Sequence, residues 1–205
     1  MFSRTFRLLP ALAAALIVGL IATASFALAH GKSSHVSTHH DSSGLQRCDH
    51  SCQGNSYSAW DEEWLKMSIE GDTFEIRGGK LALQKATTPE VKTLAETLIK
   101  DHTKSLADAV KVAKKLGIEV PDSPSPSQQW ELRVVATFSG KDFDRWYSDL
   151  EVQDHIQDIQ EAKDEVDKGC NKDVRQLAKD DIPVLEKHLE LAKAALKASG
   201  GSPPS

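Results

Sequence analysis

The chain has 205 residues, 40% of them hydrophobic, and a formal net charge of −5 at pH 7. Such acidity argues against nucleic acid as a partner, because binding phosphates takes clustered Lys and Arg. Three cysteines, Cys48, Cys52 and Cys170, are too few for a disulfide-built scaffold, and an odd number leaves one thiol over.

Arg4 and Arg7 precede a largely apolar run from Leu8 to Leu28, which ends in Ala27-Leu28-Ala29. A basic head, an apolar stretch and an A-x-A end form a secretory signal, residues 1–29. The rival reading is a retained anchor, since about 20 apolar residues span a bilayer; the small-residue ending favours cleavage. Cleavage would leave 176 residues, one domain's worth, with a net charge of −7.

Residues 30–58 are rich in Ser, His and Gly and poor in apolar side chains, so they read as a flexible tail. Five histidines (His30, His35, His39, His40 and His50) share it with Cys48 and Cys52. Imidazoles and thiolates together make a weak, exchangeable site for Cu, Ni or Zn. The "CDHSC" spacing matches no zinc-ribbon pattern. Cys48 and Cys52 can pair with each other, or either can reach Cys170.

Helical periodicity then dominates to about residue 198, and no segment alternates with period two. A first long helix spans about Trp60 to Ala86. A second starts at Pro89, with Thr88 as N-cap, and stops at Gly117. "GIEVPDSPSPSQ" (117–128) is an extended connection, followed by a short helix from about Gln129 to Ser139 that Gly140 stops. A third long helix runs from Asp142 to Lys168, and a fourth from a cap at Asn171 to about Ala198 with a kink at Pro183. Residues 199–205 fray. Short connections make the first two long helices, and the last two, antiparallel hairpins. The long middle connection can travel the full length of the bundle. The expected fold is all-α, a ferritin-like four-helix bundle with one long crossover that carries a short extra helix.

Polar residues inside the apolar stripes mark the candidate site. His102 lies four residues after Leu98 and four before Leu106, at the centre of its stripe, with Asp101 on the flank. The stripe of the first helix, drawn through Leu65, Ile76, Gly79, Leu83 and Ala86, also contains Asp72 and Glu75. His155, near Glu151 and Asp154, and His188, one heptad after Asp181, fall on the stripes of the last two long helices. With a full-length crossover, Glu75, His102, His155 and His188 come level. One carboxylate and three imidazoles suit a single Zn, Fe(II), Mn or Cu ion. Asp101, Glu151, Asp154 and Asp181 are candidate acceptors to orient the histidines. The alternative is a metal-free buried cluster that satisfies its own hydrogen bonds and specifies packing.

"GDTFEIRGGKLALQKATTPEVKTLAETLIKDHTKS" (71–105), "FDRWYSDLEVQDH" (143–155) and "DIPVLEKHLELA" (181–192) resemble the DUF4142 family of exported bacterial proteins in the ferritin-like superfamily. The matching features are Glu75, Pro89-Glu90-Val91, Asp101-His102, the Phe, Tyr and His of the second stretch, and the P-x-L-x-x-H-L of the last. The resemblance covers about residues 59–198. It implies a ferritin-like bundle in the periplasm or at the outer membrane, with membrane contact only through the signal or the envelope, and no established activity. The Glu-x-x-His pairs of di-iron bundles are absent, since Ile99, Val152 and Leu185 stand three residues before the three histidines. Di-iron oxygen chemistry is therefore unsupported, and no motif indicates nucleophilic catalysis, a particular protein partner or an oligomeric state.

Overall fold

The structure, a computed structural model, describes residues 56–204; the predicted signal, the histidines of the tail, Cys48 and Cys52 lie outside that range. Five helices follow in order: α1 (Ala59–Lys85), α2 (Pro89–Leu116), α3 (Pro126–Val135), α4 (Gly140–Lys168) and α5 (Lys172–Ala198). The described residues contain no strand. The four long helices form a ring in which α1 packs on α2, α2 on α5, α5 on α4 and α4 on α1. The bundle with a long crossover carrying α3 is therefore as the sequence predicts.

Two aspartates set the directions. Asp144, near the start of α4, accepts from the backbone N–H groups of Thr87 (3.0 Å) and Thr88 (2.9 Å) and from both threonine hydroxyls. It thereby ties α4 to the α1–α2 turn. Asp61, in the first turn of α1, accepts from the backbone N–H groups of Cys170 and Asn171, each at 2.8 Å, in the α4–α5 turn. α4 thus starts where α1 ends and ends where α1 starts. α3 and its flanking segments carry the chain from the end of α2 back along the bundle to the start of α4, with α3 against α1 and α4.

Local chemistry corrects four details of the sequence reading. Ser58 caps α1 in a capping box with Asp61, and Asn171 Nδ2 donates to the carbonyl of Ser56 (2.9 Å), so the last residues of the expected tail are pinned to the bundle. Thr88 holds the N-cap position of α2, but its hydroxyl donates to Asp144 and does not cap the helix. α3 starts earlier than predicted because Ser125 and Gln128 form a capping box with Pro126 at the first helical position. Gly140 does not end the short helix; it begins α4 with φ 58°, a left-handed value that glycine adopts without a Cβ penalty. α5, for its part, stays helical through Pro183.

The apolar core is divided into two slabs. One, at the α1–α2 turn, contains Leu94, Leu98, Phe143, Tyr147 and Leu196. The other, at the α4–α5 turn, contains Leu65, Ile69, Ala109, Ile159 and Val174. One stripe assignment fails: Leu83 is 41% exposed. Trp146 is 45% exposed and stacks on Phe138 at 5.3 Å. Phe74, which lies off the predicted stripe, is fully buried. α1 comes close enough to α2 that a Cβ on Gly79 would lie 2.7 Å from Ile99 Cγ1 and 3.0 Å from the Ala95 carbonyl.

Candidate metal centre

Between the slabs lies a polar layer. Leu98 belongs to one slab and Leu106 packs against the other, so His102, halfway between them on the same face, is carried into the gap. α4 contributes Glu151 and His155, α5 His188, and α1 Asp72 and Glu75; all are buried, and Glu75, Glu151, His155 and His188 are at 0% exposure. The three imidazole rings stand 5.1 to 5.9 Å apart, centroid to centroid. One ring nitrogen from each lies within 4.8 Å of those of the other two.

Each ring has one nitrogen engaged and one with no partner in the protein. His102 Nδ1–H donates to Asp72 Oδ1 (2.8 Å), His155 Nδ1–H to the Glu151 carbonyl (2.8 Å), and His188 Nε2–H to Asp101 Oδ2 (3.2 Å). His102 Nε2, His155 Nε2 and His188 Nδ1 are buried and unpartnered. An acceptor on one nitrogen fixes the tautomer and leaves a lone pair on the other, the arrangement a metal-binding histidine needs. Burial supplies the remaining condition, neutrality. It pushes His102 down to about 4; it pushes His155 to about 3 and His188 to about 4 with help from the neighbouring imidazoles. All three are therefore uncharged at neutral pH.

The carboxylates are placed differently from the single four-ligand set expected. Glu75 groups with Glu151 and His155, with one donor atom of each within 4.8 Å of the others, and it is not part of the three-imidazole group. His155 is common to both groups. Glu75 faces Glu151 and Asp154, close enough to share a proton with either, and Glu151 also meets the Tyr147 hydroxyl. Burial, reinforced by Glu151 and Asp154, raises Glu75 well above the carboxylate range, and burial lifts Glu151 to about 8.

Of the candidate orienting residues, Asp101 acts on His188 across the α2–α5 interface and not on its sequence neighbour; Lys187 Nζ also approaches it at 3.5 Å. Glu151 engages His155 through its backbone carbonyl. Asp154 and Asp181 make no hydrogen bond to a histidine; burial raises both, Asp181 to about 7. Asp72, the acceptor for His102, was placed in the α1 stripe by the sequence but not in the site. Its signal was there, one turn before Glu75 on the same face.

A cleft of about 350 Å³ reaches His102 and His188 from outside. His155, Glu75 and Glu151 do not line it. Cys170 is disulfide-bonded, and Cys48 and Cys52 lie outside the described residues. A further acid pair has no signal in the sequence: Glu165, on α4, is fully buried against Asp61, and burial lifts it to about 8.

A family model described as a domain of unknown function, DUF4142, matches residues 47–195. The chain belongs to the DUF4142 family. Among solved structures, this DUF4142 bundle is similar to a DUF305 protein from Streptomyces coelicolor, with a TM-score of 0.59 and 17% identity over 71% of this chain and 96% of that one. At that identity the likeness speaks for the fold alone. No curated protein matches the sequence.

Proposed function

We propose that this DUF4142 protein is an exported helical bundle that holds one divalent transition-metal ion on His102, His155 and His188, for storage, buffering or stress protection. The observation that carries this reading is the set of three buried, neutral imidazoles, each hydrogen-bonded at one nitrogen and unpartnered at the other. Imidazole donors suit Zn, Cu, Fe or Ni, and the neighbouring Glu75 and Glu151 extend the range toward harder ions such as Mn. A metal-free packing cluster is the alternative, but such a network is expected to satisfy its own polar atoms. This one leaves three ring nitrogens without partners in the protein.

Export is supported by the signal-like residues 1–29 and by the DUF305 neighbour, which is described as secreted. No helix of the described residues is long and apolar enough to cross a membrane. The family resemblance favours the periplasm or outer membrane over release.

Elemental analysis of the purified, untagged chain tests the metal. About one equivalent is expected in the wild type, and a strong loss in the His102→Ala/His155→Ala/His188→Ala variant. Unchanged metal in that variant would assign the ion to the histidines and cysteines of residues 30–52 and remove the bundle site.

A further inference from the structure

The cleft that ends on His102 and His188 has a one-sided chemistry. Its lining carries eight carboxylates and no Lys or Arg. α1 supplies Glu70 and Asp72, α3 Glu131, and α4 Asp154, Asp158 and Glu161; Asp101 and Asp181 complete the set. At the inner end, Asp72 Oδ2 and His102 Nε2 are buried and unpartnered, on residues only 4% and 6% exposed. The acidic wall therefore leads to unpartnered donor atoms, and does more than form a solvated face.

We propose that this cleft is the port through which divalent cations reach and leave the three-imidazole site, so that the bound ion is exchangeable. The inference rests on the metal-binding reading above. Three observations carry it. The volume corresponds to roughly twelve waters at about 30 Å³ each, room for a hydrated ion. Burial raises Asp72, Asp154, Asp158 and Asp181, but with no Lys or Arg in the lining the charge that it does carry is negative; a cleft of one sign with low-dielectric walls focuses its field and raises association rates by roughly 10 to 10³. His155, Glu75 and Glu151 stand behind the floor, off the cleft, so an ion arriving there meets His102 and His188 first. The port also gives the crossover a role, since Ser125, Gln128 and Glu131 of that connection form part of its wall.

The test uses the full chain, stripped of metal, with Co²⁺ as the probe and its visible absorption as the signal in stopped-flow mixing. Glu131→Gln/Glu161→Gln removes two acids of the wall without touching an imidazole. Association at low salt should slow about tenfold in this variant, and the salt dependence of the wild-type rate should flatten. A control, Glu90→Gln/Glu96→Gln/Glu190→Gln, removes three exposed acids that do not line the cleft and should change the rate less than twofold. Equal rates in wild type and cleft variant, or equal slowing in cleft variant and control, would overturn the port while leaving the metal site standing. A wild-type Co²⁺ spectrum that persists unchanged in the triple-histidine variant would instead remove the site and the port with it.

Discussion

Replacing Glu151 with Gln should stabilise the metal-free protein. The side chain is at 0% exposure, it faces Glu75 and the Tyr147 hydroxyl, and burial lifts its carboxyl from 4.5 to about 8. Between those values the unfolded chain has lost the proton that the folded chain keeps. Stability contributed by this group is therefore complete below pH 4.5 and falls as pH rises toward 8. Each pH unit in that window costs about 1.4 kcal/mol, so roughly 3 kcal/mol is lost by pH 7. Gln has nearly the same shape and no ionisation to suppress, and its amide can donate toward Glu75. Denaturant unfolding in the presence of EDTA, at pH 5 and pH 7, compares the two proteins. Glu151→Gln should be more stable than wild type by roughly 3 kcal/mol at pH 7, with most of the difference gone at pH 5. A variant no more stable than wild type at pH 7, or a difference that does not shrink on acidification, would refute the reasoning.

Two further outcomes are expected. Asp101→Asn weakens the acceptor that fixes the His188 tautomer, so Zn²⁺ affinity by competition titration should fall about 10- to 100-fold while thermal unfolding of the metal-free protein changes little. Gly79→Ala places a Cβ 2.7 Å from Ile99 Cγ1 at the α1–α2 contact; it should destabilise by about 1–3 kcal/mol in denaturant unfolding despite alanine's helix preference of about 1 kcal/mol.

The bundle was legible because its punctuation is local. Pro89 and Gly117 bound α2, Asn171 starts α5, and the apolar period runs cleanly through α2 and α5. Where local signals compete, the reading slipped. Ser125-x-x-Gln128 is a capping box hidden in a proline-rich stretch, and Gly140 has the composition of a stop but serves as a start. α4 lacks a strong apolar face because it buries Asp144, Ser148, Glu151, His155 and Glu165, while Trp146 covers Phe138 from outside. The histidines were found because each interrupts a stripe. Their partners were harder to find, because a helical wheel gives the angle of a side chain but not the neighbour it meets. Asp101 points to α5 and serves His188, Asp72 crosses from α1 to His102, and Glu75 is paired with Glu151 instead of completing the imidazole set. Those pairings depend on helix rotation and offset, which only the packed bundle defines.

The ligand sphere of a bound ion is the most direct test of the central claim. X-ray absorption at the zinc edge, on the untagged chain loaded with one equivalent of Zn²⁺, should show a first shell of nitrogen and oxygen at about 2.0–2.1 Å. The multiple-scattering pattern should correspond to three imidazoles. A first shell containing sulfur at about 2.3 Å, or a scattering pattern that survives in the His102→Ala/His155→Ala/His188→Ala variant, would place the ion elsewhere and contradict the account.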